Sequence, residues 1–285
     1  AVLNCGSKPV FADVDFNTRN INLKNIIKSI TKKTVAIIVV HFSGLPCDMG
    51  KISKFCKKRN IKIIEDSAET LGAKVNNKYT GTFGIGCFSF FPTKNITTTE
   101  GGMLTTNNKK IYDYVKKLIA HGIDKDIKPN FWHREAVLPG HNFRMPNHLA
   151  AMGYVQLKKI TKFNKARNSI ASLYSSELPK ITNKIKIPYI PKGFTHSYQM
   201  YTITVEAKLR NKLLNFLKKN DIGASAHFDP PLHLQKYLKK YNKKKLTETE
   251  KLAKQILTLP IFPDMTKKEA LYVTKTINKF YKINS

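Results

Sequence analysis

The sequence predicts an α/β protein: a mostly parallel sheet with helices on both faces, followed by a smaller C-terminal α/β domain. Three observations carry this expectation. The first half alternates short β-rich runs with segments whose apolar residues recur at helical spacing. The run AIIVV at 36–40 is continuously apolar, as strands buried on both faces of a parallel sheet are. Beyond Pro188 a second, shorter pattern of strand, helix and strand follows. A chain of 285 residues that is 41% apolar and 10% aromatic can bury one large core and a smaller one.

Taken in order, the expected strands of the first half are KPVFADVD (8–15), TVAIIVVHF (34–42), IKIIED (61–66), IGCFSFF (85–91) and GMLTT (102–106). Between them LKNIIKSI (23–30) and MGKISKFCKKRN (49–60) have helical spacing. In a parallel sheet the chemistry gathers outside the carboxyl ends of the strands, and those ends read His41, then Glu65 and Asp66, then Lys94. After residue 107 the pattern turns helical, with IYDYVKKLIAHG and then a long segment from His148 to Leu178 that carries Leu149, Met152, Val155, Leu157 and Ile160 near one side. The C-terminal part offers YQMYTITV as a strand, LRNKLLNFLKKN as a helix with Gly223 at its end, and IGASAHF as a second strand. A last helix is expected from Thr247, with Glu250 at capping-box spacing, to Thr258. The division that follows is a large domain at 1–145, a bridging helix at 146–180 and a small domain at 181–285.

Bulk properties narrow the function classes. No stretch approaches the roughly 20 apolar residues of a membrane span, and the first residues lack the layout of a signal peptide, so a soluble cytoplasmic protein is the default. The cysteines Cys5, Cys47, Cys56 and Cys87 form no C-x-x-C pair and read as buried free thiols. The formal charge of +31 raises the reading of a nucleic-acid binder. Lysines occur in nearly every segment, however, and only KYLKKYNKKKLTETEK (236–251) is a dense run. A general positive surface serves an anionic small substrate equally well.

One stretch asks for chemistry rather than packing. In CFSFFPTKN (87–95) the residues Phe88, Phe90 and Phe91 suit a buried strand, yet Lys94 arrives just after Pro92, where a strand stops. An amine held at a rigid strand end and partly desolvated is the arrangement a nucleophilic lysine needs.

The ordered motifs PVFADVD, VHFSGLPCDM, IIEDSAETLGA, GTFGIGCFSFFPTKNITTTEGGMLTT, HNFRMPNHLAAMGYVQL and LPIFPDMT together resemble the DegT/DnrJ/EryC1/StrS family of sugar aminotransferases that use pyridoxal 5'-phosphate (PLP), over essentially the whole chain and with a perosamine-synthase-like look. The resemblance implies the aspartate-aminotransferase-like fold, PLP-transferase fold type I. It implies that Lys94 forms the Schiff base with PLP and that Asp66 pairs with the pyridine nitrogen. It implies that Glu69 lies beside the ring, and that Ser89 binds the cofactor phosphate. Asn142 resembles the asparagine that reaches the phosphate from a neighbouring subunit, which implies a homodimer with the active site at the interface. Arg144 either orients substrate or braces the bridging helix. His227, in SAHFDPPLH, resembles a loop histidine near the sugar or is a packing residue, and with His233 it lacks the third ligand of a metal site.

The activity so implied is transamination of a nucleotide-diphosphate 4-keto-6-deoxy sugar of perosamine or viosamine type, with glutamate as amino donor, in polysaccharide biosynthesis such as that of the lipopolysaccharide O-antigen. Neither nucleic acid nor membrane is an expected partner. Members of the family carry a further stretch ahead of PVFADVD with a phosphate-cradling helix start. Its absence here leads to the expectation of either a fragment of a longer protein or a degenerate copy, the latter a non-catalytic relative that keeps the fold for binding or assembly.

Overall fold

The computed structural model describes residues 1–284 other than 125, 128, 129, 131 and 243; Lys243 of the lysine-rich run therefore lies outside the described residues. The first half runs through α1 (Leu23–Ser29), β1 (Ala36–Val40), α2 (Met49–Lys58), β2 (Lys62–Asp66), a short hairpin of β3 (Lys74–Val75) and β4 (Lys78–Tyr79), then β5 (Ile85–Ser89) and β6 (Gly102–Thr105). The main sheet has the order β1-β2-β5-β6, with β1, β2 and β5 parallel and β6 antiparallel.

Local chemistry sets these elements. Asn22 caps α1 by accepting from Asn25 N–H, and Asp48 caps α2 by accepting from Lys51 N–H. Lys57 and Lys58 close α2 at its negative dipole end. The helix buries Met49, Ile52 and Cys56 at helical spacing, and these join Ile26, Ile37, Val39, Cys47 and Ile63 in one apolar cluster.

The sheet departs from expectation in its burial. AIIVV is not enclosed on both faces: Ile37 and Val39 face α1 and α2, while Ile38 and Val40 remain 37% and 46% exposed. Phe91 is also exposed, because β5 ends at Ser89 and the chain turns at Pro92. KPVFADVD is not a strand and makes only a bridge between Val14 and Ile21. Its polar groups face the C-terminal half instead. Asp13 accepts from the N–H groups of Glu248 and Thr249 at 3.0 and 2.8 Å, and buried Arg19 donates to the Thr202 carbonyl at 2.6 Å.

The second half begins with α3 (Lys109–Leu118), then α4 (Asn147–Leu157) and α5 (Ile160–Ile181), followed by β7 (Tyr201–Thr204), α6 (Ala207–Lys219), α7 (Thr247–Gln255), β8 (Ile256–Leu259) and α8 (Lys267–Asn284). The expected long helix is therefore two, broken at Lys158 and Lys159. No residue of α4 is buried, so Met152, Val155 and Leu157 face outward. α5 buries Ile170, Ala171, Tyr174 and Leu178 in a second cluster with β7, α6, β8 and α8.

Further differences are local. Ile256–Leu259 is a strand antiparallel to β7, not the end of a helix, because all four residues are buried between elements. IGASAHF pairs only at Ser225, opposite Thr258. Asp221 rather than Gly223 takes the left-handed conformation after α6. At α7 the N-cap is Leu246, whose N–H donates to Glu250 Oε1, so only one arm of the expected capping box forms. The helix α8 follows where the sequence reading placed no helix. Among the cysteines, Cys47 and Cys56 are buried, Cys87 is partly exposed and Cys5 is exposed; all are free.

Candidate active site

Neighbouring residues of a strand point to opposite faces, and at the end of β2 this separates two carboxylates. Glu65 is buried and fully engaged: it accepts from the N–H groups of Gly81, Phe83 and Gly84 at 2.9, 2.7 and 2.8 Å, and meets His41 Nε2 at 3.2 Å. Because His41 Nδ1 accepts the Cys47 N–H at 3.1 Å, its proton sits on Nε2 and points at Glu65. Burial alone would raise the Glu65 pKa, but His41 and the amides outweigh it and hold the carboxylate below its ordinary range. His41 and Glu65, grouped with the site by sequence, thus form a closed structural pair.

Asp66 lies on the other face, partly exposed, with Oδ1 accepting from Ala68 N–H at 3.2 Å. It is level with Val40 on β1 and Cys87 on β5. Five residues past β5, Lys94 is turned back by a bond from its N–H to the Phe91 carbonyl. Its Nζ stands 3.6 Å from Glu69 Oε1, with the two side chains only 17% and 13% exposed. Glu69 Oε2 accepts from the Ser43 N–H at 2.6 Å. Burial pushes the Glu69 carboxyl upward, Lys94 and the Ser43 amide pull it back, and Asp66 pushes it up again. Asp66, Glu69 and Lys94 therefore act on one another at the carboxyl end of the parallel strands.

His227 joins this group from the C-terminal half. Burial, then the positive charge of Lys94, lowers its pKa, and its Nδ1 meets Thr258 Oγ1 at 2.9 Å. Next to it, Phe228 contacts Phe42 edge-on, and buried Arg210 pairs with Asp229. Ser89 belongs to the turn that carries Lys94, its Oγ accepting from Phe91 N–H at 3.3 Å. Asn142 and Arg144 are not drawn into the cluster. Both are exposed, Arg144 Nε donates to Asn142 Oδ1 at 3.1 Å, and the Arg144 guanidinium lies near His121. No group of metal ligands exists among the described residues.

The sequence reading missed Ser43, which sits in the left-handed conformation directly after the β1 end. It also missed the run at 195–200, which bonds the turns of Ser43, Glu69 and Lys94. A Ser-Gly pair following an apolar strand was the one visible signal.

A screened amine beside two carboxylates, at the carboxyl end of parallel strands, is an arrangement suited to an enzyme that uses a carbonyl cofactor. The chain belongs to the DegT/DnrJ/EryC1/StrS aminotransferase family, whose model matches residues 1–278. Members are pyridoxal-phosphate-dependent sugar aminotransferases. The chain is 36% identical to the GDP-perosamine synthase of Escherichia coli O157:H7, over 99% of its own length and 75% of that protein. The crystal structure of the aminotransferase TlmJ from Streptoalloteichus hindustanus superposes with a TM-score of 0.93 at 26% identity, covering 100% of this chain and 76% of that one. PseC of Helicobacter pylori, an aminotransferase involved in pseudaminic acid biosynthesis, gives 0.91 at 27% identity, covering 98% and 75%. The fold is thus that of the PLP aminotransferases. The residues present fit the reactive end of that cofactor: a shielded amine for its aldehyde and a part-exposed carboxylate for its ring.

Proposed function

We propose that the chain transfers an amino group from glutamate to the C4 ketone of a nucleotide-diphosphate 4-keto-6-deoxy sugar, a perosamine- or viosamine-type step in the synthesis of a cell-surface polysaccharide such as the O-antigen. The observation that carries the reading is the Lys94 amine held 3.6 Å from Glu69 beside Asp66. Similarity to GDP-perosamine synthase supports the sugar class. The reaction belongs to the cytoplasm, where nucleotide sugars are made, and no described helix is long and apolar enough to cross a membrane. The unit of function is a homodimer with the site at the subunit interface. Residues 1–145 form the cofactor-holding domain, 146–180 the bridge and 181–285 the small domain.

When bound, PLP supplies an aldehyde carbon that an amine can occupy and a ring that withdraws electrons. Lys94 would hold the cofactor through its Nζ, and Glu69 keeps that amine in place. Displaced from the cofactor, the Lys94 amine would be the base placed to take a proton from the donor α-carbon and to return one in the amination of the sugar. Asp66 keeps the ring nitrogen protonated. Glu69, anchored by the Ser43 amide, keeps the amine from swinging into solvent. Ser89 offers its hydroxyl to the phosphate. Asn142 and Arg144, exposed and apart from Lys94, serve the neighbouring subunit's site. His227, its proton affinity lowered by burial and by Lys94, stays neutral near pH 7 and bonds a sugar hydroxyl without repelling the amine.

The test supplies PLP, glutamate and a nucleotide-linked 4-keto-6-deoxy sugar and follows conversion of ketone to amine by mass spectrometry. Lys94→Ala is expected to lose about 1,000-fold or more in kcat. Amination at the normal rate by Lys94→Ala would refute the reading.

A further inference from the structure

The run from Thr195 to Met200, which leads into β7, takes no part in the chemistry above, yet its bonds reach all three turns that carry the site. Ser197 Oγ donates to the Glu69 carbonyl at 2.8 Å, and its N–H donates to the Gly44 carbonyl at 3.0 Å. Met200 N–H donates at 3.1 Å to the carbonyl of Ser43, the residue whose amide holds the Glu69 carboxylate. On the lysine side, Gln199 Nε2 donates to the Thr93 carbonyl at 2.9 Å, and Asn95 Nδ2 donates to the Ser197 carbonyl at 3.0 Å. Lys94 is bracketed by its two chain neighbours.

α5 braces this network from outside. Asn164 accepts from Asn95 at 2.7 Å and donates to the Leu71 carbonyl at 2.9 Å. Arg167 donates to the carbonyls of Tyr198 and Gln199 at 3.2 and 3.4 Å. Asn95, Arg167, Ser197 and Gln199 are all buried. The approach is too close for a side chain at Gly44, where φ is +108° and a Cβ would lie 2.7 Å from Ser197 Oγ. His196, pushed down to about 3 by burial and the charge of Arg19, remains neutral and accepts the Tyr198 N–H at 2.9 Å. That bond is therefore kept across the neutral range.

We propose that Ser197 and Gln199 are positioning residues for the Lys94 amine, locking the turn of Lys94 and the turn of Glu69 into one register. The inference rests on Lys94 being the reacting amine. Neither turn lies in a regular strand, so beyond the last ladder bond, from Ser67 N–H to the Cys87 carbonyl, these cross-links hold the two turns together. The pair acts through backbone carbonyls and touches no reacting atom.

The test uses Gln199→Met, which keeps shape and removes the donor, and Ser197→Ala, with Ser197→Thr as the variant that restores a hydroxyl. In the PLP-loaded enzyme kcat is expected to fall about 10- to 100-fold in the first two, with KM for the nucleotide sugar little changed. In protein free of cofactor, acetylation of Lys94 relative to exposed Lys110 is expected to rise severalfold, since the amine is no longer held against Glu69; Ser197→Thr should recover both values. Should Ser197→Ala not fold, Gln199→Met decides alone. Wild-type kcat and wild-type Lys94 acetylation in folded variants would overturn the proposal, whatever their melting temperatures. Borohydride reduction of the PLP-loaded wild type separates the two claims: label away from Lys94 sinks the function, whereas label on Lys94 with unaltered variants sinks only the positioning role.

Discussion

Glu69 and Glu65 lie four residues apart; burial pushes both carboxyls upward, but only at Glu65 do the hydrogen-bond partners outweigh it. The Glu69 pKa is raised above 4.5, so the folded state favours its protonated form. Stability is then lost as pH rises from 4.5 through the elevated value. Glu69→Gln is expected to melt at the same temperature as the wild type or higher at pH 7, with the gain vanishing toward pH 4, while amino transfer slows; melts across pH 4–8 check this. The Glu65 pKa is lowered, so its contribution is fully present above 4.5 and is lost as pH falls below that value. Glu65→Gln confronts three backbone N–H donors with a side chain that has a single acceptor oxygen, and is expected to cost about 3 kcal/mol at pH 7. Urea denaturation would show a midpoint shift shrinking with acid. Lys94 and Asp66 were legible in the sequence because they sit in dense motifs at strand ends. Glu65 was not separable from Asp66, because the face that packs inward is decided by partners distant in sequence.

At the scale of elements, α7 is started by a residue more than 230 positions away. Asp13 accepts from Glu248 and Thr249 backbone N–H groups and from Thr249 Oγ1, filling the N-cap role that Leu246 has no side-chain oxygen to fill. Burial opposes the Asp13 charge, but these donors hold its pKa below 3.8. Asp13→Ala is expected to destabilise by about 1–2 kcal/mol, measured by denaturation at pH 7, and the difference should fade as pH drops below 3.8. An unchanged midpoint would count against the cap. β1, β2 and β5 were readable from apolar runs ending at polar residues. PVFADVD was not, since a strand exists only beside another strand and this segment meets α7 through Asp13 instead. ILTL at 256–259 is a short, wholly buried run that period alone cannot assign to helix or strand. By contrast α8 had helical spacing through Ala270, Val273 and Ile277, which the sequence reading passed over.

Over the whole molecule, charge and exposed apolar surface divide the work. The formal charge of +31 would draw the proposed anionic substrate toward the protein from any direction, so kcat/KM is expected to fall as salt rises while kcat holds. The helices α3 and α4 bury none of their residues, and Tyr112, Tyr154 and Val155 stand exposed on them. Surface of this kind fits the proposed homodimer. Sedimentation should then report twice the 32.5 kDa chain mass, reduced by Val155→Asp. The two apolar clusters were foreseeable from composition, but the polar network that ties the site turns to the run at 195–200 was not, because its partners lie up to 153 residues apart and carry no shared motif.

The proposed chemistry turns on one amine, that of Lys94, and borohydride reduction would trap it directly. The protein is loaded with PLP, reduced, digested and mapped by mass spectrometry. The pyridoxyl label is expected on Lys94 and is expected to be lost in Lys94→Ala. A label on another of the many lysines, or none on a folded protein that aminates the sugar, would contradict it.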